Sequence, residues 1–569
     1  MNRARRAIRS SARRGALLGV AAGIIAAIYY QVWPRIMCPP DSVYSGAPQG
    51  EDQFVYMSLA RAIWRSPNGF TYEYPFQLFW PAPAVMLQFP LVLVAWMGRL
   101  FGLPMGFELA RILGCAGTGA ALGAMAARLC PAGSWRRWFC VLTLLGGGWF
   151  AWIAVGHAFR ISGPGGLTEW WEYMPYAMGQ LYSWLPFVFQ NIVYPMEPLY
   201  HAIVLGGLAL LILGRPGLAL AVGLAVWFSH PFSAAVLSSA AMLYWFLRLI
   251  ISRCQGKPAG LHLGGVCIVQ LIAWILISAI GLAYYRIFLE QWPIYRALNA
   301  QHQVASVSPL TPWQAVGLFG PFLPALLWSV ASPSGRRHVW HHPGWAVLGS
   351  LAVAQAALLF HGALLRTEAT QPFHFNRGYL EIGLVAVTLR AAMILSIRRL
   401  APRTPGAVSL ASLRVIPGWF VVLAALLLFD QPLYFIRALL QGVQTGYVEK
   451  DLMETLNSLP DSPAPQVVFV EAPKNAILVP ALTNHVFYNM PEVMAVPFEA
   501  EREARFNAAL DSPTTDSLAR LGLSYAILAG KSELNQRFQQ QGWELLREGQ
   551  RYNLWCVPPE NNKNLGLAR

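Results

Sequence analysis

The sequence predicts an all-α polytopic membrane domain of about eleven transmembrane helices over residues 1–435, followed by a small extracytoplasmic α/β domain over residues 436–569. Three observations predict it. The 569-residue chain is 56% hydrophobic and 12% charged, and runs such as Gly15–Tyr30, Leu261–Leu282 and Ile416–Phe429 are too long and apolar for ordinary soluble helices. The charges of the first 435 residues are sorted into alternate gaps between such runs. One set of gaps carries Asp41, Glu51, Asp52, Glu73 and Glu108, then Glu169, Glu172 and Glu197, then Glu290, Glu368, Glu381 and Asp430. The other set, Arg3–Arg14, Arg128–Arg137, Arg248–Lys257, Arg336–Arg337 and Arg398–Arg414, has no carboxylate. Residues 436–569, finally, hold 15 of the 27 carboxylates and no spanning run.

Spans are expected near 15–32, 106–129, 138–155, 198–213, 216–229, 231–250, 261–288, 311–330, 343–365, 378–396 and 416–435. Cytoplasmic loops retain Lys and Arg, so the basic gaps are placed inside and every membrane-domain carboxylate outside. The basic start and the first apolar run read as an uncleaved anchor with a cytoplasmic N-terminus. Segment 83–101 is apolar enough to span, but crossing there would put Arg128, Arg136 and Arg137 outside and the loop 156–197 inside. Its prolines and Trp96 suit a helix lying in the outer interface instead. The first outer loop, 33–105, then also holds a surface helix, Asp52–Trp64, ending at Ser-Pro-Asn-Gly. In the C-terminal part, Val467–Glu471, His485–Tyr488 and Tyr525–Ala529 read as strands, Ala500–Leu510 and Leu534–Gln541 as helices, and Trp543–Val557 as a closing hairpin.

A net charge of +15 and a pI near 9.7 could suggest nucleic acid. The basic residues sit in short loops at helix ends, so anionic lipid headgroups are the expected neighbours and no nucleic-acid partner is expected. Seven Cys lack metal or redox spacing, although Cys38 and Cys556 would share the outer side. The chain has no phosphate-binding loop of the G-x-x-x-x-G-K-[ST] type, no H-E-x-x-H and no G-x-S-x-G. This argues against ATP-driven transport, zinc proteolysis and nucleophile-elbow hydrolysis.

Candidate site residues are therefore sought on the outer side. Asp52 opens the surface helix, with Tyr56 four residues on; the plainer account of Asp52 is helix capping. Glu197, in Tyr194-Pro-Met-Glu-Pro-Leu199, heads a span between two prolines. Glu169 and Glu172, one helical turn apart, flank Trp170 and Trp171 in an aromatic-dense loop that suits either an interfacial belt or a platform for sugar or lipid. The run Arg366-Thr-Glu-Ala-Thr-Gln-Pro-Phe-His374-Phe-Asn-Arg377-Gly-Tyr379 is an outer loop that breaks the charge bias. Arg377 and His374 there match a phosphate in donor geometry, or snorkel to headgroups. Arg296 is a further candidate for the same phosphate. His230, before Pro231 where two spans meet outside, fits a tight turn as well as a cavity.

An acid opening a surface helix after the first span, Tyr56, Arg61, a proline-bearing interfacial helix and an apolar helix entered at Leu109-Ala110-Arg111 occur here in that order. The order resembles the GT-C superfamily of polytopic glycosyltransferases, especially the branch with lipid A aminoarabinose transferase and the protein O-mannosyltransferases. The resemblance covers the architecture of the whole chain, through short motifs. It departs in having Gln53 where an acid is frequent and in the length of loop 156–197. It implies Asp52 as catalytic base, Glu197 as the second acid, and inverting transfer of a sugar from a polyprenyl-phosphate donor to a hydroxyl of a lipid, glycan or protein acceptor. Arg377, His374 and Arg296 would hold the donor phosphate. Glu169, Glu172, Trp170, Trp171, Tyr56 and His230 would line the sugar or acceptor. Metal use varies across the superfamily, so a divalent cation (Mg or Mn) on Asp52 and Glu197 stays open. The implied setting is a bacterial inner membrane, with membrane lipids as neighbours. Two alternatives remain: a transporter or flippase of a lipid-linked glycan, which should show charges deep in the spans and paired halves, and a catalytically silent scaffold subunit.

Overall fold

The computed structural model describes residues 2–46, 51–76, 83–131, 133–147, 149–168, 194, 196–254, 258–304, 315, 319–365, 372–400, 416–428, 446–462, 464–488, 499–511, 521–541 and 543–556. Helices dominate, with a small sheet in the C-terminal part. Ala12–Ile36, Leu103–Leu129, Pro231–Cys254, Gly264–Gln291 and Tyr379–Ser396 are long and apolar enough to cross a membrane. Shorter apolar helices include Glu197–Ile212, Pro216–Trp227, Pro343–Leu359 and Gly418–Leu427. The chain is a multi-pass membrane protein.

One expected span is corrected. Residues 138–155 do not form a single helix: Gly133–Leu145 stops, and Phe150–Ser162 begins anew. The break begins at Gly146-Gly147, two successive residues of the lowest helix propensity short of proline. The Gly147 N–H leaves the helical ladder to donate to the Leu427 carbonyl at 2.7 Å. The expected span 343–365 also pauses, at Phe360, before the short helix His361–Leu365. The expected spans 311–330 and 416–435 lie partly outside the described residues, as does the expected domain boundary at 435/436. Phe89–Phe101 is a helix of 13 residues. At 1.5 Å per residue it is about 20 Å long, short of the ~30 Å hydrocarbon core.

The chain divides into two compact units. The first comprises Met1–Tyr29, Ala110–Tyr284 and Gln303–Gln441. Its helices approach closely where side chains are small. Gly15, Gly19 and Gly23 meet Gly123, Gly119 and Cys115 in reverse order, and a Cβ at Gly19 would fall on the Gly119 carbonyl. This antiparallel small-xxx-small crossing lets two backbones touch where no hydrophobic driving force separates helix from lipid. On another face of the same helix, a Cβ at Gly114 would lie 2.5 Å from Pro198 Cβ, so Leu103–Leu129 also abuts the start of Glu197–Ile212. Gly383 backs onto Ala352, and the Arg390 guanidinium lies 5.3 Å from the Trp345 ring centre, joining Tyr379–Leu400 to Pro343–Leu359.

The second unit comprises Tyr30–Leu109, Tyr285–His302 and Gly442–Arg569. Strands β1 (Ser42–Tyr44) and β4 (Tyr447–Glu449) pair antiparallel, a contact between segments roughly 400 residues apart in sequence. Strands β2 (Thr71–Tyr72) and β3 (Met86–Leu87) form a second short ribbon. The main sheet has the order β6-β5-β7-β9-β8, built from β5 (Val467–Val470), β6 (Val486–Phe487), β7 (Leu523–Ala529), β8 (Glu544–Arg547) and β9 (Tyr552–Cys556). β5 runs parallel to β6 and β7, and the β8–β9 hairpin closes the sheet antiparallel. The expected strands and helices of this region coincide with these elements and with Glu499–Asp511 and Glu533–Gln540. Phe469, Leu523, Phe538, Trp543 and Trp555 form its core. Cys38 and Cys556 are not joined by a disulfide.

Arg61 clasps the same unit. It donates to the carbonyls of Ala481 (2.9 Å) and Leu482 (3.0 Å), the end of the Leu478–Leu482 helix. Burial, with Arg65 alongside, lowers its pKa to about 10, which still leaves it cationic at neutral pH. Trp64 and Arg99 tie Glu51–Arg65 to Phe89–Phe101: Trp64 Nε1 donates to Ala95 O (2.6 Å), and Arg99 Nη2 to Trp64 O (2.9 Å). Asp451 fixes the β8–β9 turn by accepting from the N–H groups of Gln550, Arg551 and Tyr552.

Two predictions follow from this packing. Gly19→Leu forces a side chain onto the Gly119 backbone and should cost at least ~1–3 kcal/mol of stability in detergent unfolding. Gly156→Ala, where a Cβ meets open space, should be neutral or stabilising by up to ~1 kcal/mol. A further prediction concerns pH. Burial alone would raise the Asp451 carboxyl, but the three N–H groups and the Arg547 guanidinium outweigh it and hold the pKa below the usual value. Its contribution is therefore present above the unfolded value of ~3.9 and is lost as pH falls through the lower folded value. Asp451→Asn should remove that acid-dependent step from the thermal midpoint measured against pH.

Candidate functional site

Within the first unit, a buried polar cluster forms where Glu197–Ile212 begins. Pro198 sits in the first turn of that helix, where its missing N–H costs nothing. The glycine face around Gly114 lets the neighbouring helix press against this end. One turn before Gly114, Arg111 is 1% exposed, and its Nη1 donates to Tyr194 O at 3.4 Å.

Glu197 Oε1 forms an ion pair with Arg377 Nη1, and the two side chains are only 4% and 5% exposed. A buried pair of this kind is costly to desolvate, and each charge is tolerable only because of the other. Arg377 Nη2 also donates to His374 Nδ1 at 3.0 Å. One turn on from Glu197, His201 is fully buried and its Nε2 donates to the Arg377 carbonyl at 2.8 Å. The Arg377 backbone has φ of +41°, and Gly378 follows at +82°. A left-handed conformation is ordinary for glycine and disfavoured for arginine.

The turn carrying Arg377 is anchored on both sides. Gln355 Nε2 donates to Phe375 O. Asn376 Oδ1 accepts from the Leu380 N–H (3.2 Å), and its Nδ2 donates to Glu381 Oε1 (3.3 Å). Aromatic groups continue from this point. His374 meets Phe232 at 5.0 Å between ring centres, Phe232 meets His230 at 5.7 Å, and His230 stacks on Tyr200 at 4.7 Å. Tyr200 lies one turn from Glu197, so these groups close a ring. Ser233 N–H donates to His230 Nδ1 (3.2 Å), fixing that nitrogen as an acceptor.

Of the sequence-derived candidates, Glu197, Arg377, His374 and His230 are thus brought together. Asp52, Tyr56 and Arg296 belong to the second unit. Asp52 and Tyr56 are half-buried and share one face of Glu51–Arg65. Arg296 is exposed and donates to the Glu290 carbonyl (3.0 Å), the end of the preceding helical turn. Glu169, Trp170, Trp171 and Glu172 lie outside the described residues. His201 is not among the sequence-derived candidates, and Arg111 and Asn376 enter there only as parts of quoted motifs, with no site role. The available signal was polar residues inside apolar helices, which are expensive there and usually have a purpose.

The chain is similar to ArnT from Cupriavidus metallidurans in the apo state, at 12% identity over 96% of this chain and 98% of that one, with a TM-score of 0.43. It is also similar to the archaeal oligosaccharyltransferase AglB from Archaeoglobus fulgidus in complex with an inhibitory peptide and a dolichol-phosphate. There the identity is 12% over 91% of this chain and 69% of that one, with a TM-score of 0.47. No protein-family model and no curated protein matches the chain.

The Glu197 carboxylate is engaged by a guanidinium, and among the described residues no group of three or more His, Cys, Asp or Glu could hold a metal ion.

Removing one partner of the buried pair leaves an uncompensated charge. Glu197→Ala should cost about 3–5 kcal/mol of stability. Joint replacement by Glu197→Leu and Arg377→Met should cost less than the single change, as read by equilibrium unfolding in detergent.

Proposed function

We propose that this chain is a membrane glycosyltransferase that takes a sugar from a polyprenyl-phosphate-linked donor and transfers it, with inversion, to an acceptor hydroxyl. The observation that carries this reading is Arg377, a cation buried at the head of apolar helices and held by a carboxylate and an imidazole. Its guanidinium has the fork geometry that suits phosphate. The order of features around Asp52, described from sequence, supplies the second support.

In this reading Asp52 accepts the proton of the acceptor hydroxyl as its oxygen bonds to the anomeric carbon. The bond from that carbon to the phosphate oxygen breaks, and the lipid phosphate departs with the electron pair. Arg377 and His374 meet the charge that grows on the phosphate, the kind of stabilisation that counts most where water is excluded. Glu197 holds Arg377 in place. A membrane-anchored donor matches a phosphate-side cluster, Glu197 and Arg377, at the heads of apolar helices.

The test is transfer from undecaprenyl-phosphate-linked sugars to a hydroxyl acceptor by the purified chain in nanodiscs. Asp52→Asn should lower turnover by ~10²–10⁴-fold with the fold retained, and Arg377→Gln should lower it at least as far. Failure of the wild-type chain to transfer sugar from any such lipid overturns the reading. A phenotype untouched by Asp52→Asn would make the chain a scaffold.

A further inference from the structure

We propose that His201 is a positioning residue for the donor phosphate: it holds the backbone of Arg377 in the left-handed turn that aims the guanidinium. The inference rests on the reading of Arg377 as a phosphate ligand. Glu197 and His201 are four residues apart on one helix and grip opposite ends of a single residue. Glu197 takes the guanidinium, and His201 takes the carbonyl at 2.8 Å. Among the described residues, Arg377 is the one non-glycine residue with positive φ. Such a conformation persists where its surroundings over-determine it, and strained backbone of this kind gathers at ligand-binding positions.

The surroundings fit that account. His201 is itself held edge-on against Tyr379, with ring centres 4.9 Å apart and planes at 70°. Tyr379 begins the helix that leaves the turn. Gly378 continues the left-handed path at no steric cost. Because the Arg377 carbonyl can only accept, His201 Nε2 carries the hydrogen and the ring is neutral or doubly protonated. Without that donor, the buried carbonyl loses this hydrogen bond and the turn loses one of the contacts that hold it left-handed. The guanidinium then swings with the relaxing backbone, away from the arrangement set by Glu197 and His374.

Two readouts on the full chain in nanodiscs test this: affinity for undecaprenyl phosphate, and turnover with undecaprenyl-phosphate-linked sugars. His201→Ala should weaken undecaprenyl phosphate by about tenfold and lower kcat by a similar factor, since charge grows on the phosphate as the bond breaks. His201→Gln, whose amide nitrogen reaches as far as Nε2, should restore both. If the alanine variant does not fold, His201→Asn, whose amide stops short of the carbonyl, takes its place in the comparison. A merely structural role would lower the thermal midpoint and the yield of folded protein without changing the affinity or kcat of the folded fraction; that result overturns the inference. So does failure of His201→Gln to rescue. If the wild type binds undecaprenyl phosphate, His201→Ala weakens it and no sugar is transferred, the transferase reading falls and the positioning role stands. If the wild type transfers sugar and His201→Ala binds normally, only the positioning role falls. A wild-type chain that binds no undecaprenyl phosphate overturns both.

Discussion

Two opposite charges, Glu197 and Arg377, are buried against each other in a unit made almost wholly of apolar helices. In such surroundings neither could persist alone, because the dehydration cost of an isolated ion exceeds what ordinary packing returns. The pair therefore sets conditions on everything near it. Glu197 must sit at the start of its helix, where free N–H groups favour a carboxylate. The neighbouring helix must come close enough to exclude water, which the bare backbone at Gly114 permits. The Arg377 turn must be fixed from several directions, and Gln355, Asn376 and His201 do so from three.

Much of this was legible before any coordinates. Apolar runs and segregated charges gave the helices, because period and length are local properties. Arg377 was conspicuous as a cation in a gap where the bias excludes cations. Glu197 stood out between prolines. His201 did not, since one histidine in an apolar helix has many uses, and its partner, the Arg377 carbonyl, is 176 residues away. The break at Gly146-Gly147 has a signal in the run of glycines in the sequence, but the hydropathy of the flanking residues masks it. Pairing between β1 and β4 could not be read, because three-residue strands roughly 400 residues apart carry no pattern that points to each other.

The second unit shows how little continuity in sequence matters to a compact body. Its pieces come from three stretches of chain, and small polar clasps join them. Arg61 closes the end of a short helix more than 400 positions away, and Tyr295 donates to the Pro83 carbonyl at 2.7 Å. Each clasp is a long side chain donating to a backbone carbonyl of a distant stretch of chain, and the Arg61 clasp meets the carbonyls at the end of a helix. This kind of join needs one long side chain and no extended complementary surface.

The pairing of Ser42–Tyr44 with Tyr447–Glu449 also imposes a timetable on biosynthesis. The early strand leaves the ribosome roughly 400 residues before its mate, which at ~5–20 residues per second is a wait of about 20–80 s. Through that interval the nascent polypeptide carries an unmated edge while the rest of the membrane bundle is still being inserted. Maturation of this body is thus post-insertional by construction, and a chain truncated before Tyr447 would leave the first loop without its closing strand.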